Sequence, residues 1–390
     1  MQLTLVNTDE KKASSTFSRT NPFPAKVLKN DNLNGESSNK ETRHIELSLK
    51  GSGLSYLPGD ALGIVPENDP ELVNSIIKEM NWDPERVVTI NKQGETLLLK
   101  EALTTYLEIT LLTKKILQLA AGLTENEQLQ KLVAAENIND LKEYIYGRDL
   151  LDLLQDFGPW NADAQGIVSL LRKMPPRLYS IASSIAAHPD EVHLTIGAVR
   201  YTSQGRERKG VCSVQCAERT AAGDTLPVFV QVNKHFNLPD SYDKDIIMIG
   251  PGTGIAPFRS FIEERSVQQA QGRSWLFFGD QHAATDFLYK DELEQFVKDG
   301  VLTRLDAAFS RDSAQKVYVQ HKMLESSKEL FSWLEKGSYF YVCGDKEYMA
   351  NDVHNALLEI IEKEGAMNRV DAEAYLNAMQ KEGRYQRDVY

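Results

Sequence analysis

The chain has 390 residues and a formal net charge of −12, with 42% hydrophobic and 26% charged residues, which is an ordinary composition for a soluble globular protein of two or three domains. The acidic balance argues against a general nucleic-acid binder, and no apolar run approaches the roughly 20 residues of a membrane span. Three cysteines cannot all pair and suit a reducing compartment, and "MQLTLVNTDEKK" lacks the basic and apolar regions of a signal peptide, so a cytoplasmic location is expected.

In chain order, residues 1–42 are polar ("NDNLNGESSNKETR") and read as an N-terminal tail or linker. From Arg43 the pattern becomes strand-like: "RHIELSL", then "PGDALGIVP" with turn-forming Pro58, Gly59 and Pro66. Residues 69–174 change period. "DPELVNSIIKEM" sets Leu72, Val73, Ile76, Ile77 and Met80 on one helical stripe, and "TKKILQLAAGL", "LKEYIYGRDLLDLLQDF" and "GIVSLLRKM" continue it, predicting an all-helical connecting domain. Strands return at "RLYSIASS" (177–184), "EVHLTIGAVRY" (191–201) and "TLPVFVQV" (225–232). Residues 43–68 and 175–240 together therefore predict an antiparallel β-barrel interrupted by the helical insert.

Over 241–390, buried runs alternate with amphipathic helices: "DIIMIG", helix 255–271, "SWLFFGD", a helix near 290–299, "LTRLDAAFS", a helix near 320–335, "YFYVCGD" and helix 347–364. This alternation predicts a doubly wound parallel sheet, with ligands at the carboxyl ends of its strands. The fold class is α/β plus β-barrel.

Several motifs bear on chemistry. "GPGTGIAPF" (250–258) follows a buried strand and opens a helix whose inner face is Ile255, Phe258 and Ile262. Its glycines let backbone approach a diphosphate while the helix N-terminus presents free N–H groups, although a tight turn without a ligand also fits. "SRDSAQKVYVQ" (310–320) offers Ser310, Arg311, Lys316 and Tyr318 as phosphate donors, Arg311 bidentately; read alone, a solvated loop is the plainer reading. Asp280 ends the second strand of the alternating region, at the place where a simple dinucleotide fold keeps an acid for the ribose of NAD. Spacing thus leaves NAD and NADP unresolved.

"RLYSIASS" sets Arg177 and Tyr179 on one strand face and Leu178 and Ser180 on the other. "KGVCSVQCAERT" places Gly210 before a short helix, which reads either as a further anion seat or as an ordinary capped helix. Scattered histidines with no HExxH argue against a metal site, and Cys212 with Cys216 reads as two packed thiols. The ending "RYQRDVY" is either a solvent tail or an aromatic ring delivered to a site.

"PGDALGIVPENDPELV", "PPRLYSIASS", "IMIGPGTGIAPFR", "WLFFGD", "SRD", "KVYVQ", "YVCGD" and "RYQRDVY" occur in this order. From "RHIELSL" to the last residue the chain resembles the FAD- and NADPH-binding part of the diflavin reductases, a ferredoxin-NADP reductase-like family, and "RDVY" favours the branch that serves sulfite reduction. The resemblance implies that Arg177 faces the FAD pyrophosphate, Tyr179 packs on the flavin, and Ser180 lies near its N5, with Leu178 beside them. It implies further FAD contacts at Thr110, Thr195, Ile196, Gly197 and Tyr201, and a pyrophosphate seat at Gly210, Val211, Cys212 and Ser213. Gly252, Thr253 and Gly254, Ser310 and Arg311, the run Lys316, Val317, Tyr318, Val319 and Gln320, and Asp352 would hold NADPH, which decides the Asp280 ambiguity for NADPH. Cys343 would lie beside the nicotinamide, Asp388 would favour the positive charge developing there, and Tyr390 would cover the flavin as a gate.

The implied activity is hydride transfer from NADPH to FAD, followed by single-electron transfer to a protein acceptor. That acceptor is expected to be a sulfite reductase hemoprotein, a separate flavodoxin or other FMN protein, or a ferredoxin. A stand-alone ferredoxin- or flavodoxin-NADP reductase and a non-catalytic FAD- and NADPH-binding scaffold are the alternatives. Residues 1–42 are too short for the family's flavodoxin-like domain, so FMN is not expected on this chain.

Overall fold

The computed structural model describes residues 15–390. One sheet is antiparallel and six-stranded, in the order Arg177–Ser180, Ala61–Ile64, Thr225–Gln231, Phe23–Asn32, Thr42–Ser48, Glu191–Gly197. A bridge between Ile181 and Leu194 brings its two edges together.

Phe23–Asn32 corrects the reading of 1–42 as tail or linker, of which residues 1–14 lie outside the described residues. In "FPAKVLKNDN" only Ala25 and Val27 are buried, too few apolar positions to stand out as a strand. Pairing on both sides secures it nonetheless. Its first half runs against Thr225–Gln231 and its second against Thr42–Ser48, with a register shift between Val27 and Lys29.

The insert packs its helices, from Pro70–Glu79 to Ala164–Val168, around Val73, Ile76, Leu103, Leu117, Leu153 and Ile167. It is not all helical, contrary to expectation. Val87–Thr89 pairs antiparallel with Thr96–Leu98. The β-branched "VVT" favours extension, and Gly94 (φ 81°) supplies the reversal.

The second sheet is parallel and five-stranded, in the order Arg304–Phe309, Ser274–Asp280, Ile246–Ile249, Tyr339–Gly344, Tyr385–Val389. Its central strands are buried on both faces. Ile247, Ile249, Trp275 and Phe277 enter one core, and Ile246, Met248, Leu276 and Phe278 the other. The expected helices are present with shifted limits: the one after the glycine loop ends at Val267, and 320–335 divides into Val319–Glu325 and Ser327–Glu335. The sequence pattern gives no sign of the Arg369–Lys381 helix or of the fifth strand, whose polar "YQRDV" carries only one buried residue, Tyr385.

Side chains from both halves interlock along the seam between the sheets. The connection between the first two strands crosses to the parallel-sheet half, where Asn34 Nδ2 donates to Asp286 Oδ1 at 2.9 Å and Ser38 Oγ donates to the same oxygen. Lys40 Nζ pairs with Asp280 Oδ1 at 2.5 Å. Further along, Tyr289 Oη lies 2.9 Å from His44 Nδ1 and 2.7 Å from Thr195 Oγ1, and Arg259 Nη1 donates to Ala182 O at 2.6 Å.

Candidate active site at the seam

A cavity of about 1010 Å³ opens between the two sheets, lined by Leu178, Tyr179 and Ser180 from one half and Gly252, Thr253, Asp388 and Tyr390 from the other. Parallel pairing sets Asp388 directly opposite Cys343. Ser180, reaching in from the antiparallel sheet, donates its Oγ hydrogen to Asp388 Oδ2 at 2.8 Å, and Cys343 Sγ lies 4.0 Å from the same oxygen. Burial raises the Asp388 carboxyl above the usual carboxylate range, and the Ser180 hydrogen bond opposes that rise. Cys343 is fully buried; burial and then the Asp388 charge push its thiol well up, against a smaller opposing effect from Ser180. It therefore stays a neutral thiol and is no thiolate nucleophile.

Tyr390 is 64% exposed at the cavity rim. Its phenol lies 3.1 Å from Thr253 Oγ1, and its backbone N–H donates to Gly344 O at 3.1 Å. Tyr179 lines the same cavity from the other half, its phenol pushed well up by burial and then by the charges of the neighbouring Cys212 and Cys216.

The glycine loop is tight. A Cβ on Gly254 would stand 2.2 Å from Cys343 O, and one on Gly250 would stand 2.5 Å from the Phe258 ring. Backbone, not side chain, thus faces the switch point of the sheet, which fits a bound diphosphate. Asp280 also lines this cavity, with its Oδ1 held by Lys40 Nζ and by the Gln281 N–H.

A second cavity of about 550 Å³ continues from Arg177 between the antiparallel sheet and the helical insert, and Thr110, Tyr201, Gly210 and Val211 line it. The Val211–Glu218 helix begins here, capped by Gly210 without a side-chain hydrogen bond, so its first-turn N–H groups suit an anion. Glu108, fully buried, accepts from Thr110 N at 2.9 Å, Thr110 Oγ1 at 2.6 Å and Arg177 Nη2 at 3.2 Å. Sequence reasoning missed this residue, and the signal for it is an acid inside the apolar run "YLEITLL".

The residues expected at FAD therefore divide. Thr110, Arg177, Tyr201, Gly210 and Val211 line the smaller cavity; Leu178, Tyr179, Ser180, Thr195, Gly197 and Tyr390 line the larger. Ile196, Cys212 and Ser213 are buried and line neither, Ser213 Oγ being held by the Val199 N–H at 3.2 Å.

The residues expected at NADPH also spread out. Ser310 and Arg311 leave the third parallel strand with their N–H groups on Asp280 O and Gln281 O, both at 2.9 Å. Arg311, Lys316 and Tyr318 are exposed or nearly so, whereas Val319 is in the core with Val317 packed on it. Gln320 Nε2 donates to Asp352 Oδ2 at 3.1 Å beside a shallow depression of about 480 Å³.

The histidines are less scattered than the sequence suggested. His44, His188 and His193 meet at the seam, with ring centroids 4.3 Å apart for His188–His193 and 5.3 Å for His44–His193. Among the described residues, five of their six ring nitrogens, all but His188 Nδ1, are already engaged. His44 meets Tyr289 and Glu46, His193 meets Glu191 and, at 3.4 Å, Arg259 Nη1, and His188 meets Glu263. Arg259 holds a fixed positive charge against the cluster, so its geometry is that of a domain contact.

The family description "FAD binding domain" matches residues 15–214, and "Oxidoreductase NAD-binding domain" matches residues 248–355. Among curated relatives, the sulfite reductase [NADPH] flavoprotein alpha-component of Bacillus subtilis (strain 168) is 64% identical over 376 residues, covering 96% of this chain and 62% of the relative. The protein of the same name from Mannheimia succiniciproducens is 46% identical over 374 residues, covering 96% of this chain and 62% of the relative. That from Photobacterium profundum is 44% identical over 383 residues, covering 98% and 62%. The chain thus spans 62% of the length of these relatives.

Proposed function

The chain belongs to the FAD binding domain family and carries an oxidoreductase NAD-binding domain behind it, and from that premise we propose that it is an NADPH-dependent flavoprotein reductase that passes electrons one at a time to a protein partner in sulfite reduction. The observation that carries this reading is the Ser180–Asp388 pair, brought from both domains into the cavity that Tyr390 also lines, with Cys343 buried directly behind Asp388.

FAD, when bound, supplies the conversion between two-electron and one-electron transfer; the protein supplies distance, orientation and field. Tyr179 and Tyr390 reach the same cavity from the two halves and would bracket a flat aromatic ring there, with Leu178 and Thr195 also in its lining. In the smaller cavity, Glu108 fixes Arg177 and Thr110 toward the phosphates, and the Val211 helix end adds its N–H groups. Asp388, once ionised, places negative charge where positive charge develops on the coenzyme ring, while the neutral Cys343 thiol packs beside it. Ser310, Arg311, Lys316 and Tyr318 form the seat for a 2′-phosphate; Arg311 and Lys316 have no ion-pair partner among the described residues, so their charge is available.

The relatives' name supports NADPH and sulfite reduction for this chain, and a barrel closed through Ile181 and Leu194 with a helical insert is the architecture the reading requires. Stopped-flow mixing of the FAD-loaded protein with NADPH tests it: rapid bleaching of the flavin's visible band is expected, and none would overturn the enzyme reading. Turnover with a sulfite reductase hemoprotein, compared with flavodoxin and ferredoxin, then identifies the acceptor.

A further inference from the structure

The hairpin formed by Arg200–Ser203 and Arg206–Lys209 belongs to neither large sheet, so side chains must hold it in place. Arg206 Nη2 lies 2.6 Å from Asp149 Oδ1 and 2.7 Å from Asp152 Oδ1. Arg208 completes a ring of charges, with Nη1 2.6 Å from Asp149 Oδ2 and Nη2 2.9 Å from Asp152 Oδ2. Both acids stand at the start of the Leu150–Asp156 helix, locked to each other by a capping box. Just before them the insert passes so close to the hairpin that a Cβ on Gly147 would lie 2.3 Å from Ser203 Oγ.

These contacts sit at the smaller cavity. Gly147 and Asp149 line it from the insert, and Tyr201, Arg206 and Arg208 line it from the hairpin. The arrangement is costly. Arg208 is only 6% exposed, and its Nε has no hydrogen-bond partner among the described residues. Buried ion clusters of this kind give little net stability over apolar packing, so their placement asks for a reason other than folding.

We propose that Asp149, Asp152, Arg206 and Arg208 form a clasp that closes the hairpin over the ligand of the smaller cavity, so that opening the clasp sets the rate at which FAD leaves. The proposal rests on the reading that this cavity holds FAD. Arg206 and Arg208 are then positioning residues: their charges are spent on Asp149 and Asp152, and anion recognition falls to Arg177 and the Val211 helix end.

The test uses the FAD-loaded protein. FAD release on dilution, followed by recovery of free-flavin fluorescence, is compared for wild type, Arg206→Met and Arg206→Lys, alongside the thermal midpoints of the apo and FAD-loaded forms. Arg206→Met is expected to release FAD about tenfold faster, a modest effect because the Arg206 side chain keeps 31% of its exposure within the cluster. Arg206→Lys should recover part of the loss, high salt should speed wild-type release, and the loaded midpoint should fall further than the apo one. Unchanged FAD release in Arg206→Met, or a fall in the apo midpoint as large as in the loaded form with release unaltered, overturns the clasp and leaves a purely structural cluster. A wild-type chain that takes up no FAD on titration overturns the clasp together with the cavity reading beneath it.

Discussion

Ser180 Oγ donates to Asp388 Oδ2 at 2.8 Å, joining two residues 208 positions apart that belong to different sheets. This bond registers the two domains against each other at the place where chemistry is proposed. It also tunes the acid, because a donor on the carboxylate favours the charged form against the burial that opposes it.

Asp388→Asn should slow flavin reduction by NADPH about a hundredfold while FAD stays bound, the scale of losing one electrostatic stabiliser in a dry site. In the wild type the rate should rise with pH as Asp388 ionises, at a pH above the usual carboxylate range because its folded value is raised. Ser180→Ala removes the opposing hydrogen bond and should move that limb to still higher pH. Identical pH profiles for wild type and Asp388→Asn in single-turnover kinetics would remove Asp388 from the chemistry.

Arg311→Ala should cut kcat/KM for NADPH by roughly a hundredfold and leave that for NADH within about threefold, as expected for losing a charged contact worth about 1.5–3 kcal/mol. Equal losses with both coenzymes would show that Arg311 does not read the 2′-phosphate.

Deleting Tyr390 should tighten nicotinamide coenzyme binding and narrow the preference for NADPH over NADH. Stacking worth about 0.5–1.5 kcal/mol predicts a gain of roughly two- to tenfold. Titration with NADP⁺ and NADH measures it; unchanged affinities and preference would make the terminal ring a bystander.

The histidine contact at the seam should make the fold acid-sensitive. His44 is held down to about 4 by burial and then by Arg259, and His193 down to about 2 by the same two causes. Glu46, Glu191, Glu263, His188, Lys29 and the Tyr289 phenol are the other charged or titratable groups around the pair. Both imidazoles are neutral in the fold but take up protons in the unfolded chain below about pH 6.5. Their contribution to stability is therefore complete above that pH and is lost as pH falls, toward about 4 for His44 and about 2 for His193, at up to about 1.4 kcal/mol per pH unit for each. Urea unfolding at pH 7 and pH 5 should show a smaller pH effect in His193→Gln than in wild type; equal effects would place the acid sensitivity elsewhere.

Local signals carried much of this architecture and tertiary ones the rest. The alternation of buried runs and helices announced the parallel sheet because its central strands are apolar on both faces, as "DIIMIG" and "SWLFFGD" show. Arg177, Tyr179, Gly252 and Thr253 were legible because they sit inside short motifs that end up on cavity walls. Glu108, whose one local trace is an acid in an apolar run, and Lys40 were not, since their ion-pair partners Arg177 and Asp280 lie 69 and 240 residues away. Phe23–Asn32 and Tyr385–Val389 escaped for another reason: they are polar strands that take their place from neighbours already laid down. Val317 and Val319 shared a motif with exposed donors, and only packing told them apart.

The strap formed by Asn34, Ser38 and Lys40 bears on modularity. A cut near residue 241, where the chain passes from one sheet to the other, would look clean to anyone exchanging coenzyme domains between relatives. It would leave the buried carboxylates of Asp280 and Asp286 in the transplanted piece and their partners in the piece left behind. A graft that respects the physics takes residues 33–41 along as a second, non-contiguous insert.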